Sequence, residues 1–124
     1  MTKLNLTRAR RLRRIVAAEP VEKLDVRSWR KSCGTVHCLG GLAAADPVFN
    51  RHGLNPSPWD GAPLYKWFEA LPALEAFFGL TSKQSFRLFM PSVYPEDQEL
   101  TRVEFLKRLG RIIRRAERVR EASR

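Results

Sequence analysis

The chain is short of the residues from which most small chemical sites are built. Its 124 residues hold two cysteines, two histidines and 13 acids, against 23 Lys and Arg. Cys33 and Cys38, five positions apart, do not make a disulfide framework. Zinc takes about four ligands, usually Cys or His in two paired groups. Here Cys33, His37 and Cys38 sit together, His52 is the only other histidine, and Asp46 or Asp60 would have to complete the set. Consecutive His37 and Cys38 also point to different sides of a helix. The reading is therefore that there is no metal and no cofactor. No apolar run approaches the length that spans a bilayer. The start, "MTKLNLTRARRLRR", has no apolar stretch behind its positive charge, so it is not a secretory signal. A cytoplasmic protein with no membrane partner is expected. Internal repeats, low-complexity tracts and strand-like alternation are also missing.

What is present is apolar bulk and unevenly spread positive charge. Apolar residues make up 44% of the chain, with three Trp and seven Phe, enough for the core of one folded domain. Residues 1–31 carry ten Lys and Arg against three acids, and residues 101–124 carry nine against three. Residues 32–100 carry four against seven, so the net charge of +10 comes from the two ends. Such ends attract nucleic acid, anionic lipid or an acidic protein surface.

The spacing predicts a first helix from Leu6 to Glu19, with Ala9, Leu12, Ile15 and Val16 on its apolar stripe and Pro20 ending it. Arg8, Arg10, Arg11, Arg13 and Arg14 crowd the other positions. Leu24, Val26 and Trp29 read as anchors in a short irregular segment. Ser32 or Thr35 could cap a second helix that runs through Leu39 and Ala43 and ends at Asp46, because Pro47 cannot continue it. Residues 47–63 read as a long Pro/Gly loop whose Phe49, Leu54 and Trp59 pack down on the body. "LYKWFEAL" reads as a helix after Pro63, and Pro72 opens another, "PALEAFFGL". Thr81 with Gln84 forms a capping box for "SKQSFRLFM", and Thr101 with Glu104 forms another for the last helix, over 101–122. On that helix Val103, Phe105, Leu106, Leu109, Ile112, Ile113, Ala116 and Val119 make an apolar side. Lys107, Arg111, Arg114 and Arg118 make a basic line at i, i+4, i+7 and i+11. The expected fold is mostly α, one domain over residues 1–124 with about five or six helices around a small-residue central helix.

Cys33 invites a second reading, as a nucleophile at a helix N-terminus beside Arg30 and Lys31. A base is hard to find, since His52 lies in the loop and His37 on the same helix. Packing is the simpler account. Free Cys behaves as a small buried apolar group, and Gly40, Gly41, Ala43, Ala44 and Ala45 make a thin helix. Two adjacent glycines cost about 2 kcal/mol of helix propensity relative to alanine, which close packing would offset. Trp29, Cys33, Cys38, Gly40 and Gly41 are thus expected to be structural, with no catalytic residue.

"LDVRSW", "CGTVHCLGGLAA", "LEAFFGLTSKQSFRLF" and "YP", taken in order, resemble a group of small bacterial and phage proteins of no established activity. That group shows an aromatic-Asp-Met-x-x-Trp segment, then Cys-Gly-Thr-x-x-Cys-x-x-Gly-x-Ala, then Leu-Gly-Leu leading to Leu-Phe and a Trp- or Tyr-Pro. The likeness covers about residues 24–95. Leu24 and Val26 depart from the aromatic and Met, Phe78 from the Leu before Gly79, and Leu42 from a frequent aromatic or His. The resemblance implies a helical core and a bacterial or phage origin, and no chemistry.

Function is then expected at the two basic ends. Arg8, Arg10, Arg11, Arg13 and Arg14 of the first helix, and Lys107, Arg111, Arg114, Arg115 and Arg118 of the last, are the candidates for meeting nucleic acid or a nucleoprotein without catalysis. A phage-type inhibitor that covers an acidic or nucleic-acid-handling protein surface is the alternative, with Trp59, Tyr65 or Trp67 as anchors. A Cys33 enzyme is the second alternative. "LEAFFGLTSKQSFRLF" has the outline of a helix-turn-helix, but its second helix is too apolar to read a groove, and a core helix pair is expected. The apolar side of the last helix could serve an intramolecular core or a homodimer.

Overall fold

The computed structural model describes residues 3–24, 38–90, 94 and 97–122. Trp29 and Cys33 lie outside the described residues, as do Val26, Ser32, Thr35 and His37. The described chain is mostly helical: α1 (Leu6–Ala18), a 3-10 turn (Val21–Lys23), α2 (Leu39–Ala45), α3 (Pro47–Arg51), β1 (Leu54–Pro56), β2 (Pro63–Tyr65), β3 (Phe68–Glu69), α4 (Leu71–Phe78), α5 (Ser82–Phe89) and α6 (Gln98–Ala122). None of the described helices is long and apolar enough to cross a membrane.

α1 starts where Asn5 Oδ1 accepts the Arg8 amide at 3.0 Å and stops at Ala18, two residues before Pro20. Ala9, Leu12 and Val16 are buried, one helical stripe, while Ile15 is half-buried. This stripe faces the body, and α1 runs antiparallel along α6. Two contacts set that direction: Arg10 pairs with Glu117 at 2.7 Å, and Arg102 donates to the Glu19 carbonyl at 2.7 Å.

α2 is enclosed on all sides. Leu39, Gly40, Gly41, Leu42, Ala43 and Ala44 are all buried, with α1, α3, β1 and β2 packed around them. Cys38 caps it, its Sγ accepting the Gly41 amide at 3.4 Å. The glycines and alanines remove side-chain bulk, which lets four elements approach one short helix. Asp46 ends α2 and caps α3, accepting the Phe49 amide at 3.0 Å.

Three expectations fail between residues 47 and 71. The supposed loop begins with α3 and then pairs β1 with β2, and "LYKWFEAL" is no helix but the β2–β3 hairpin. The sheet order is β1-β2-β3, antiparallel, with Leu54 opposite Tyr65 and Tyr65 opposite Phe68. Lys66 (φ 55°) and Ala70 (φ 56°) both turn the chain through the left-handed region, which a helix cannot contain. Strands of three, three and two residues are too short for alternation to register in sequence. Phe49 and Leu54 are buried as expected, but Trp59 is 91% exposed.

Pro72 lies in the first turn of α4, and Gly79 ends that helix at φ +73°. A Cβ there would stand 2.0 Å from the Lys3 carbonyl oxygen. The chain entering α1 crosses this glycine, and the Asn5 amide donates to the Phe78 carbonyl at 2.8 Å. α5 carries both halves of the Thr81–Gln84 capping box. For α6 the expected cap is wrong. The helix begins at Gln98, Asp97 Oδ1 accepts the Leu100 amide at 2.9 Å, and Thr101 is buried in the first turn with its hydroxyl donating to the Asp97 carbonyl. Asp97 is the stronger cap and stands four residues earlier, so Thr101 is left inside.

Phenylalanines tie the helices together. Phe49, Phe77 and Phe78 meet edge-on with ring centroids 5.0–5.4 Å apart. The series continues through Phe89 to Phe105, joining α3, α4, α5 and α6. Phe105, Leu109 and Ile113 of α6 are buried in this single-chain core.

Candidate nucleic-acid interface

The ten cationic candidates divide by what lies within reach. On α1, Arg11 forks onto Asp46, Nε to Oδ2 and Nη2 to Oδ1, both at 2.8 Å. Arg8 donates to the Phe77 carbonyl at 2.9 Å and lies over the Phe77 ring at 4.1 Å. Arg10 holds Glu117. Of the five candidates on α1, Arg13 and Arg14 alone are exposed with no ion pair among the described residues.

Electrostatics fit this division. Burial opposes charge on Asp46, but the Arg11 fork and the Phe49 and Val48 amides outweigh it and hold the carboxyl below its ordinary range. Arg11 is correspondingly raised, first by its hydrogen bonds to Asp46.

On α6 the pattern reverses. Three of its four acids are used locally or by α1: Glu99 pairs with Arg102 at 2.7 Å, Glu104 with Arg108 at 3.1 Å, and Glu117 with Arg10, while Glu121 is exposed in the last turn. Lys107, Arg111, Arg114, Arg115 and Arg118 are all exposed, and none has an ion pair among the described residues. They occupy one broad outer face.

Part of that face forms one wall of a groove of about 730 Å³ between α5 and α6. Lys83 and Arg87 stand on the α5 wall, and Arg108, Arg111 and Arg115 on the α6 wall. Among the described residues Glu104 is the one acid in the lining, half-buried Ile112 supplies apolar surface beside the fully buried Leu88, and Thr81 and Gln84 close the α5 end. Arg108 is the fixed member. It donates to the Arg87 carbonyl at 2.8 Å, joins Glu104, and lies 4.4 Å over the Tyr94 ring. Tyr94 in turn donates to the Leu88 carbonyl at 2.8 Å, and burial pushes its ionisation far above neutral pH.

Three groove residues, Lys83, Arg87 and Arg108, were not among the candidates. Their signal is present in the sequence as two short rows at helical spacing: Lys83 and Arg87 on α5, Arg108, Arg111 and Arg115 on α6. Apolar Leu88 and Phe89 hide the first row, yet both are buried while Lys83 and Arg87 stay exposed. α4 and α5 do pack as a core pair, although Phe86 is 46% exposed.

Among the described residues, no group of three or more His, Cys, Asp or Glu could hold a metal ion. Cys38 is buried, while Cys33 and His37 lie outside the described residues. Trp59 and Trp67 are 91% and 84% exposed, and Tyr65 is half-buried with its ring edge-on to Phe77 at 5.1 Å. No family model matches the chain, and neither curated proteins nor solved structures show significant similarity to it.

Proposed function

We propose that the protein is a non-enzymatic binder of nucleic acid, contacting the phosphate backbone through the α5–α6 groove and the outer face of α6. One observation carries this reading: among the described residues five cations line the groove against a single carboxylate, and that carboxylate is already paired with Arg108. Uncompensated guanidinium groups in a concave site suit phosphate oxygens, which accept paired N–H donors. Arg13 and Arg14 add to the long-range field without lining the groove.

The test is fluorescence anisotropy with labelled single-stranded and duplex oligonucleotides. Binding at low salt is expected, weakening at least ~10-fold between roughly 50 and 200 mM salt. The double variant R111Q/R115Q should lose ~10-fold or more in affinity at low salt. No binding of either polymer would overturn the reading. Occlusion of an acidic protein surface is the second reading, favoured by the exposed Trp59 and Trp67 as anchors. Capture of an acidic partner that survives R111Q/R115Q but is lost in W59A/W67A would support it.

A further inference from the structure

We propose that the α5–α6 groove seats a single nucleic-acid strand by its phosphates and excludes a duplex; this rests on the phosphate-binding reading above. The shape carries the argument. A cation-walled trough can seat a strand of duplex only by straddling its backbone ridge, with one helix in each flanking groove. The B-form minor groove is about 6 Å wide, and an α-helix with side chains is about 10 Å or more across. α5 and α6 cannot both enter. A lone strand has no such flanks and can lie between the walls over half-buried Ile112.

The charge layout agrees. Lys83 and Arg87 face Arg111 and Arg115, so a phosphate chain between them meets cations from two sides. Along α6, Arg111 and Arg115 stand about 6 Å apart in rise, and Arg118 extends the row beyond the groove. This interval is comparable to the charge repeat of an extended backbone.

The lining also says what is not read. Single-strand binders that hold bases do so on exposed aromatic rings. Among the described residues no aromatic side chain lines this groove, and Tyr94 is covered by Arg108. Of the neutral polar residues, Gln84 is already engaged, its Oε1 accepting the Thr81 amide at 2.9 Å. Bases therefore face outward, and sequence should matter little.

The experiment compares oligo-dT, oligo-dA and a duplex of equal length by anisotropy across a salt series. The two single strands should bind within ~3-fold of each other, and the duplex at least ~10-fold more weakly. Four groove cations without ion pairs among the described residues, Lys83, Arg87, Arg111 and Arg115, contribute about −3 to the single-strand slope of log K against log salt, and the outer face of α6 adds to it. R111Q/R115Q should remove about half of that groove contribution. A circular-dichroism melt of the same variant shows that the fold is kept. Duplex binding as tight as single-strand binding, with the same loss in R111Q/R115Q, would overturn the single-strand assignment and keep the phosphate-binding reading. Absence of binding to every probe would overturn both. A dT affinity more than ~30-fold from that of dA would overturn the outward placement of the bases.

Discussion

α1 and α6 lie side by side, antiparallel, and both are crowded with arginine, yet they use it in opposite ways. On α1, Arg8, Arg10 and Arg11 point at acceptors inside the protein: a carbonyl and ring of Phe77, Glu117 and Asp46. On α6, Lys107, Arg111, Arg114, Arg115 and Arg118 look outward, while Glu99, Glu104 and Glu117 pair with other arginines. The lesson is that an arginine-rich helix is not one functional unit. Each guanidinium goes to whatever acceptor lies within a side chain's length, and only those without one are available to a ligand.

That contrast can be attacked at several points, beginning with the seating of α1 itself. Gly79→Ala places a Cβ against the Lys3 carbonyl at a left-handed φ, so α1's entry must move. A loss of about 3 kcal/mol is expected in urea melts, the strain and the overpacking adding together. A change under ~0.5 kcal/mol would mean that the N-terminal segment is not held there.

The next effect concerns the Arg11–Asp46 fork. Asp46→Ala removes an N-cap and two charge-assisted hydrogen bonds and should cost about 2 kcal/mol or more. Asp46→Asn keeps a cap and loses the charge, which isolates the ionic part. Because the folded carboxyl is held below its unfolded value, its contribution is whole above about pH 4 to 5 and fades as pH falls further. Wild-type stability should therefore decline on acidification more steeply than that of Asp46→Asn. Parallel pH profiles for the two would show that the fork is not stabilising.

The smallest effects should lie on the surface. Arg10→Gln breaks a pair whose members are 38% and 42% exposed and should cost under ~0.5 kcal/mol. R111Q/R115Q should change stability no more than that, while it carries the main loss in nucleic-acid affinity. If thermal melts showed R111Q/R115Q more damaging than Asp46→Asn, the division between inward and outward arginines would fail.

Legibility in the sequence followed local interactions. α1 reads from its stripe and Pro20, the end of α2 from Asp46 and Pro47, and α5 from Thr81 and Gln84, because each signal lies within a turn or two of what it controls. Tyr65 was misplaced in a helix because its partners, Leu54 across the sheet and Phe77 on α4, are not its neighbours in the chain. Thr101 suits a cap by residue type, but Asp97 suits it better from four residues earlier.

The amino-acid order alone settles the amount of positive charge, its gathering at the two ends and the helical periods that carry it, since all three are properties of neighbours along the chain. It does not settle which cations remain free or that Lys83 and Arg87 confront Arg111 and Arg115. Those outcomes depend on groups far apart in sequence: Arg11 meets Asp46 and Arg10 meets Glu117 only after α1 has packed, and the groove exists only because the phenylalanine core sets α5 beside α6.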